Sequence, residues 1–411
     1  MNLKVSPHID KRSIIAPASK SYAQRAILAA ALSRDKSIIR CYGKSGDVKH
    51  IIEVAKQMGA QLDLIDIHPE TLQIRGFVNE IGQDWFVGES GLGARLAIPI
   101  AAALTDNCEI NGTGSLLNRP MHTHAEALTQ LGVEVNANNA ALPFIIKGKI
   151  KGGKLTLDGS ASSQYFSGLF MALPLATADS VVRIKNLASR PYLNMTLELL
   201  KDFGITVKKE GDQYIIPGNQ CYKGVDYRVE ADWSGAAFWI VYGALQQSIE
   251  IHGLNSESLQ ADRAILEVME LCGADYRWHK DILIVGPQDL KPFEYDAWHC
   301  PDLFPALVVL AAGIKGQSIL HGVDRLKHKE SDRGVVLKQE FAKLGLVIEL
   351  DGNTMLVYGT GSLHSGSINS NNDHRIAMAG AIAAELTNEG VVVENAEAVT
   401  KSYPDFWEEI S

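Results

Sequence analysis

The chain has 411 residues, of which 46% are hydrophobic and 21% charged, and its formal net charge is −9 at pH 7. These proportions are typical of a folded protein of two or three domains, and they exclude a chain that is mainly disordered. The acidic excess argues against binding to nucleic acid or a membrane surface, which would need a basic face, but it permits a small anionic substrate.

The N-terminus, the apolar runs and the cysteines indicate the compartment. The first residues contain no apolar stretch typical of a signal peptide, and runs such as 303–314 are too short to span a bilayer. The five cysteines are scattered, odd in number and never form a CxxC pair. We therefore expect a cytoplasmic protein with reduced cysteines, no zinc and no other metal site.

A first series of segments repeats along the chain about every seventy residues. Each is an amphipathic helical pattern that ends on a glycine, and a glycine directly after a helix tolerates positive φ. The predicted helices are 48–58, 125–131, 193–203, 264–272 and 335–344. The glycines that end them recur every 69 to 73 residues and are Gly59, Gly132, Gly204, Gly273 and Gly345.

A second series has the same period and consists of six helices rich in small apolar residues. They begin near Ser19, Gly91, Ser162, Ser234, Asp302 and His374. Helices that are apolar nearly all round are buried ones. Short β-like runs lie between the two series, for example at 155–157, 181–184, 249–251 and 282–285.

The two series predict six β/α units, each with one buried and one amphipathic helix. The sixth unit lacks its second glycine, so we expect the N-terminal strand to complete it. Six units could form one solenoid or two globular domains of three units, and buried helices favour the globular form because they need covering on every side. We place one domain at 19–230 and the other at 1–18 with 231–411.

Polar residues concentrate at the predicted helix starts. Single residues such as Asp47, Asp232 and Ser234 are explained there as N-caps. Capping does not explain cations, which oppose the helix dipole. Five of them recur at such starts: Lys20, Arg119, Arg333, Arg375 and Lys401. Helix N-termini with added cations are suited to a strongly anionic ligand.

The motifs at these positions resemble, in order and over the whole chain, those of the 5-enolpyruvylshikimate-3-phosphate (EPSP) synthase family. They are Pro17-Ala18-Ser19-Lys20-Ser21 with Arg25, Asn118-Arg119-Pro120, Ser162-Ser163-Gln164, Ser189-Arg190-Pro191-Tyr192, Pro301-Asp302, Lys329-Glu330-Ser331-Asp332-Arg333, Asn372-Asp373-His374-Arg375 and Thr400-Lys401-Ser402-Tyr403-Pro404-Asp405. The resemblance implies an inside-out α/β fold of two domains, each of three βαβαββ units, with the active site in the cleft between them.

The resemblance also implies the reaction. The carboxyvinyl group of phosphoenolpyruvate is transferred to the 5-hydroxyl of shikimate 3-phosphate, and phosphate is released through a tetrahedral intermediate. No metal or organic cofactor takes part. This step belongs to the shikimate pathway to chorismate and the aromatic amino acids, and the family is the target of the inhibitor glyphosate. We expect a monomer with these two substrates as its partners.

Site residues follow from the same motifs. Asp302 is implied as the base for the 5-hydroxyl, and Glu330 with Lys401 as the group that protonates the methylene carbon. Lys20 is implied as a further catalytic residue. The residues implied for phosphoenolpyruvate are Lys20, Gly91, Arg119, Gln164, Arg333, Arg375 and Lys401, and His374 is implied as a substrate-binding residue. Those implied for shikimate 3-phosphate are Ser21, Arg25, Ser162, Ser163, Ser189, Tyr192 and Lys329. Converging cations, an acid and a base are what this chemistry needs.

The chain departs from the family pattern in two places. The loop beside the phosphoenolpyruvate pocket carries Glu89 where the family has Asn, and Leu92 where it has Thr. A carboxylate there would repel the substrate unless a cation such as Arg95 pairs with it. Arg325 stands where many members have a neutral contact to shikimate 3-phosphate.

Two other functions fit the sequence less well. A related transferase that acts on UDP-N-acetylglucosamine would show a Lys-Asn pair near the N-terminus and a cysteine in its second unit. This chain has Lys20-Ser21, and its segment 112–119 contains no cysteine. A repeat-built interaction scaffold would explain neither the five cations nor the carboxylates of Asp302 and Glu330.

Overall fold

The fold is described here from a computed structural model of the chain. The structure describes residues 1–67, 70–137, 140–327 and 329–410. It divides into two compact units, one of Met1–Pro17 with Glu230–Ser411 and one of Ala18–Val229. The first is called here the two-segment unit and the second the continuous unit.

Twelve α-helices lie within the described residues. They are α1 Lys20–Ala31, α2 Gly46–Gln57, α3 Gly91–Leu104, α4 His122–Gln130, α5 Gln164–Ala172, α6 Arg190–Asp202, α7 Trp233–Leu245, α8 Ile265–Cys272, α9 Phe304–Ala312, α10 Arg333–Ala342, α11 His374–Ala383 and α12 Phe406–Ile410. No helix in this described part of the chain is both long and apolar enough to cross a membrane.

The same described residues form 23 β-strands. They are β1 Asn2–Val5, β2 Ser13–Ile15, β3 Ser37–Arg40, β4 Gln61–Ile67, β5 Glu70–Arg75, β6 Asp84–Phe86, β7 Asn107–Asn111, β8 Glu134–Ala137, β9 Phe144–Lys147, β10 Gly153–Asp158, β11 Ser180–Lys185, β12 Lys208–Glu210, β13 Gln213–Ile216, β14 Asp226–Arg228, β15 Ile249–His252, β16 Asp275–His279, β17 Ile282–Gly286, β18 Glu294–Asp296, β19 Gly316–His321, β20 Val347–Asp351, β21 Thr354–Gly359, β22 Gly366–Asn369 and β23 Val391–Glu394.

The strands form six small sheets, and the five four-stranded ones share one pattern. In the sheet β10-β11-β13-β12, for example, β10 runs parallel to β11, and β11, β13 and β12 are antiparallel neighbours. The sheets β6-β7-β9-β8 and β18-β19-β21-β20 repeat this order. Parallel neighbours need a crossover, and helices α5, α3 and α9 lie between the parallel strands in sequence. The predicted α/β fold of six βαβαββ units is confirmed.

Three sheets take a strand from a distant part of the chain. β14 pairs in parallel with β3, and β2 pairs in parallel with β15, so each supplies the first strand of a unit that lies far away in sequence. The sixth sheet has the order β1-β23-β22, in which β1 is antiparallel to β23. The expectation that the N-terminal strand completes the sixth unit is confirmed.

The six small-residue helices are buried, as their composition predicts. In the two-segment unit α7, α9 and α11 pack against one another, and in the continuous unit α3 packs against α1 and α5. Alanine and glycine make up much of these helices, so their backbones approach closely, and the sheets cover the outer sides. The helix starts carry the polar side chains described next.

The five glycines predicted to end amphipathic helices all have positive φ, between 78° and 85°. In the sixth unit a 3-10 helix, Ala396–Lys401, stands in place of the second α-helix. Lys401 is therefore the last residue of this short helix. The prediction that Lys401 lies at a helix start is wrong. In the other units an amphipathic run that ends on a glycine follows this position, and the sequence after Lys401 contains no such run.

Candidate functional site

In the continuous unit, the first candidate cation lies at the start of α1. Lys20 is the first residue of the helix, and its Nζ lies 3.0 Å from Asp47 Oδ2. The N-cap of α2 is Ser45, whose side chain accepts a hydrogen bond from Val48 N. The expectation that Asp47 is an N-cap is therefore wrong, since its carboxylate offsets the charge of Lys20.

Arg25 lies deeper in the same helix and its side chain is fully buried. Its guanidinium donates to Thr196 Oγ1 at 2.8 Å, to the Ser21 carbonyl at 2.8 Å, to Ser167 Oγ at 3.1 Å and to the Tyr192 carbonyl at 3.4 Å. Within the described part of the chain, all of these acceptors are neutral. Burial lowers the pKa of Arg25 to about 10. A buried cation whose contacts are all neutral groups stabilises an anion that binds next to it.

Two of the serines predicted to bind shikimate 3-phosphate, Ser21 and Ser163, are connected to this arginine by hydrogen bonds. Ser163 precedes α5 and its carbonyl accepts from Ser167 Oγ, which in turn accepts from Arg25. Ser162 Oγ accepts from Gln164 N. Ser189 is buried just before α6 and has φ of 50°, a conformation that costs free energy in residues other than glycine. The structure thus gathers Ser21, Ser163 and Tyr192 around Arg25.

A second group in the continuous unit surrounds Gly91, the first residue of α3. A Cβ atom on Gly91 would lie 2.6 Å from Arg119 Nη1 and 3.0 Å from Arg95 Nη1, so a side chain there would displace the ends of both arginines. Arg119 is 7% exposed and donates to Ser115 Oγ. Arg95 donates to the Gly91 carbonyl and to Gln164 Oε1 at 3.1 Å. Gly91, Arg119 and Gln164 therefore form one cluster.

Glu89, the first departure from the family pattern, lies beside this cluster. Its Oε1 accepts a hydrogen bond from Ser115 N at 2.9 Å. Gly114 has φ of 59°, and a Cβ atom there would lie 2.6 Å from the carboxylate. The turn Gly114–Asn118 is thus shaped around Glu89, which binds backbone and gains a charge-assisted hydrogen bond.

In the two-segment unit, Arg333 forms the centre of a buried network of charges. Its Nη1 lies 2.8 Å from Asp302 Oδ1, its Nη2 2.7 Å from Glu330 Oε2, and its Nε 2.9 Å from Asp373 Oδ2. The side chain is fully buried. Burial alone would lower the pKa of Arg333, but these carboxylates outweigh it and raise the pKa above its ordinary value.

Asp302 is the carboxylate on which three cations of the two-segment unit converge. Besides Arg333, its oxygens lie 3.1 Å from Lys329 Nζ and 3.3 Å from Arg375 Nη2. Burial would raise the pKa of Asp302, but the charges of Arg375, Lys329 and Arg333 hold it well below its ordinary value. The carboxylate is therefore ionised at neutral pH and acts as an acceptor.

Asp373 orients two of these cations, and the sequence analysis assigned it no role. It is the N-cap of α11 and accepts from Arg375 N, while its other contacts are to Arg333 and Ser331. His374 follows it, fully buried, with its Nε2 in contact with Arg375 Nη1. The signal that could have identified Asp373 is its position at the start of a buried helix, directly before two predicted site residues.

Two further residues differ from expectation or extend it. Lys401 Nζ donates to the Asn372 carbonyl at 2.8 Å, which places it beside α11. Asp232 is the N-cap of α7, as expected, but Ser234 is not a cap, and its hydroxyl donates to the buried Asp262. Burial and the nearby Asp302 raise the pKa of Asp262 to about 7.

Comparisons with known proteins identify the family of the chain. Residues 10–410 match the family model for EPSP synthase (3-phosphoshikimate 1-carboxyvinyltransferase). Proteins named 3-phosphoshikimate 1-carboxyvinyltransferase from Clostridium kluyveri and Clostridium acetobutylicum are 35% and 36% identical to the chain. The aligned regions cover 96% and 99% of this chain and 92% and 96% of those relatives.

A solved structure has the same fold. The EPSP synthase from Acinetobacter baumannii aligns with a TM-score of 0.81 at 24% identity, over 99% of this chain and 97% of that one.

Proposed function

The chain belongs to the EPSP synthase family, and from this premise we propose that it transfers the carboxyvinyl group of phosphoenolpyruvate to the 5-hydroxyl of shikimate 3-phosphate. It is a transferase of the shikimate pathway. The observation that supports this function most directly is the family match over nearly the whole chain, together with three cations, Lys329, Arg333 and Arg375, around Asp302.

The two units contribute different residues to the two substrates. Shikimate 3-phosphate binds Ser21, Arg25, Ser162, Ser163, Ser189, Tyr192 and Lys329. Phosphoenolpyruvate binds Lys20, Gly91, Arg119, Gln164, Arg333, His374, Arg375 and Lys401. The buried charge of Arg25 and the approach of Arg119 to Gly91 support these assignments, since both favour an anion.

In the addition step, the 5-hydroxyl oxygen bonds to C2 of phosphoenolpyruvate and its proton passes to Asp302. C3 gains a proton from Glu330, with Lys401 beside it. In the elimination step, C3 returns a proton to Glu330, the bond from C2 to the phosphate oxygen breaks, and the departing phosphate takes the proton held by Asp302. Both carboxylates therefore act in turn as proton acceptor and donor, which requires acid and base groups in fixed positions.

The low pKa of Asp302 makes it a weak base as long as the substrates are absent. Without them, Arg333 and Arg375 stabilise its ionised form. Anionic groups of phosphoenolpyruvate compete for the same two guanidiniums, and this competition raises the pKa of Asp302 toward a value at which it can accept a proton. Substrate binding thus prepares the base.

Phosphate release on mixing phosphoenolpyruvate with shikimate 3-phosphate tests the function. Asp302→Asn should lower kcat by about 100-fold or more, because it removes the proton acceptor. Asp324→Asn is the matched control, since that exposed carboxylate pairs only with Lys327 among the described residues. Phosphate release with UDP-N-acetylglucosamine in place of shikimate 3-phosphate would support the rival transferase.

We also propose that the enzyme works as a monomer in the cytoplasm. The five cysteines are free thiols, in keeping with a reducing compartment. Light scattering after size exclusion should give a mass near the 44.7 kDa of one chain. A mass of twice that value would contradict the monomer.

A further inference from the structure

Tyr165 lies beside the cluster formed by Gly91, Arg119 and Gln164, and it connects the segments that carry Gln164 and Arg119. It follows Gln164 as the second residue of α5, and its ring is buried. Its hydroxyl donates to the Pro120 carbonyl at 2.5 Å, and Pro120 directly follows Arg119. The hydrogen bond therefore connects the start of α5 with the backbone that carries Arg119.

The face of the same ring supports Arg95. The guanidinium carbon lies 4.9 Å from the ring centroid, a distance typical of a cation–π interaction. Arg95 donates in turn to Gln164 Oε1 at 3.1 Å and to the Gly91 carbonyl at 3.2 Å. The ring thus acts on Gln164 and Gly91 through Arg95, while its hydroxyl acts on the segment of Arg119.

His124 packs on the ring from another direction, with the two centroids 4.9 Å apart and the rings nearly perpendicular. Burial, together with the smaller effect of the charge of Arg95, lowers the pKa of His124 to about 3. The imidazole is therefore neutral at neutral pH. It supports the ring by packing and adds no second charge beside Arg95.

The guanidinium groups of Arg95 and Arg119 carry like charges and approach the same backbone position, Gly91. Other groups must therefore hold them in place. Arg95 and Arg119 are each 7% exposed, and both direct a terminal nitrogen at the site that a Gly91 side chain would occupy. Two guanidiniums in a partly desolvated place repel each other, so their positions depend on the groups that hold them. Tyr165 contacts Arg95 and the backbone next to Arg119.

We propose that Tyr165 is a positioning residue for phosphoenolpyruvate. It keeps Arg119, Gly91 and Gln164 in the arrangement that receives the anion, through its hydroxyl on one side and Arg95 on the other. The identity of the ligand rests on the proposed function. Arg25, Ser163 and Ser189 are proposed to bind shikimate 3-phosphate, and Tyr165 makes no described hydrogen bond to these residues.

The test compares two conservative variants in the same unit. Tyr165→Phe removes the hydroxyl and keeps the ring. Tyr222→Phe is the matched control, because Tyr222 is equally buried and its hydroxyl donates to the Met171 carbonyl at 2.6 Å, near the other end of α5. Each variant loses one buried hydrogen bond to a carbonyl group, so their melting temperatures should fall by similar amounts.

The Michaelis constants separate positioning from stability. Tyr165→Phe should raise KM for phosphoenolpyruvate by about 3- to 10-fold, the effect of one lost hydrogen bond, and change KM for shikimate 3-phosphate by less than about twofold. Tyr222→Phe should leave both constants unchanged. Equal behaviour of the two variants, or an equal rise of both constants in Tyr165→Phe, would overturn the proposal.

Arg95→Lys tests the other half of the arrangement. Lysine keeps the charge but loses the planar group that stacks on the ring and reaches Gln164 and Gly91 together. KM for phosphoenolpyruvate should again rise by about 3- to 10-fold, and that for shikimate 3-phosphate should not. An inactive wild-type enzyme would contradict the proposed function and this inference with it, whereas an active enzyme insensitive to both changes contradicts the inference alone.

Discussion

Arg119 illustrates what single residues contribute to the continuous unit. Its terminal nitrogens face Gly91 and Ser115, so its planar group is held in a fixed orientation. A planar guanidinium binds a carboxylate or phosphate with two parallel hydrogen bonds, which a lysine cannot reproduce. Charge alone is therefore insufficient at this position.

Arg119→Lys should weaken phosphoenolpyruvate binding nearly as much as Arg119→Ala, by about tenfold or more in KM. Steady-state kinetics with each substrate varied in turn would measure this, and KM for shikimate 3-phosphate should change little. Arg183→Lys, which alters an exposed ion pair with Asp212, is the control. Wild-type constants in both Arg119 variants would show that the residue does not bind this substrate.

The buried His124 makes stability depend on pH. Its pKa of about 3 in the folded protein lies below the ordinary 6.5, so the unfolded chain binds more protons between these values. The free energy of unfolding should therefore fall as the pH is lowered through this range, by about 2 kcal/mol between pH 7 and pH 5 from this residue.

Urea unfolding at pH 7 and pH 5 would measure this contribution. His124→Leu should lose about 2 kcal/mol less than the wild type over the interval, because leucine does not titrate. His122→Leu, on the exposed side of the same helix, should behave as the wild type. Identical pH dependence in all three proteins would mean that burial does not disfavour the charged form of His124.

At the scale of elements, the ends of the helices were the most predictable feature. A glycine at C′ acts within one turn, so the sequence around it was sufficient to locate five C-terminal ends, whereas of the three expected N-caps only Asp232 is one. The ion-pair partners of the cations were not predictable. Asp47 and Asp373 meet Lys20 and Arg333 only after separate elements pack together, and no local pattern shows such pairs.

Gly273, directly after α8, shows how much backbone conformation alone contributes to the need for glycine at a helix end. It has φ of 81°, and a Cβ atom there would meet nothing within 4 Å. Gly273→Ala should therefore lower the free energy of unfolding by about 1 kcal/mol through backbone strain alone.

Gly286→Ala, in the same unit, supplies the comparison. It has no positive φ, and an added Cβ atom would lie 3.8 Å or more from its neighbours, so we expect almost no loss. Denaturant unfolding of both variants would show the difference. Equal losses would mean that the left-handed conformation is not what selects glycine at Gly273.

At the scale of the whole molecule, the sequence period predicted six units but not the exchange of strands between distant segments. β14 belongs with β3, and β2 with β15, although more than 180 residues separate the members of each pair. These strands are three residues long and paired at their edges, so they carry too little pattern to identify their partners. Tertiary packing alone selects the pairing.

The continuous unit contains all the strands of its three sheets and its own apolar core. Residues 18–229 expressed alone should therefore fold, show one cooperative thermal transition, and bind shikimate 3-phosphate through Arg25 and its neighbours. Circular dichroism and calorimetric titration would measure this. Its Arg25→Met variant should bind at least about tenfold more weakly. An unfolded segment would show that this unit depends on the rest of the chain.

The strand β2 has a consequence for synthesis of the protein. It is made long before its partner β15, which ends at His252, about 240 residues later. At about 5 to 20 residues per second, the ribosome needs on the order of 10 to 50 s to make that partner. During this interval the exposed strand edge could pair with another nascent chain. The charged residues Asp10, Lys11 and Arg12 lie directly before β2, and charges at a strand edge disfavour such pairing.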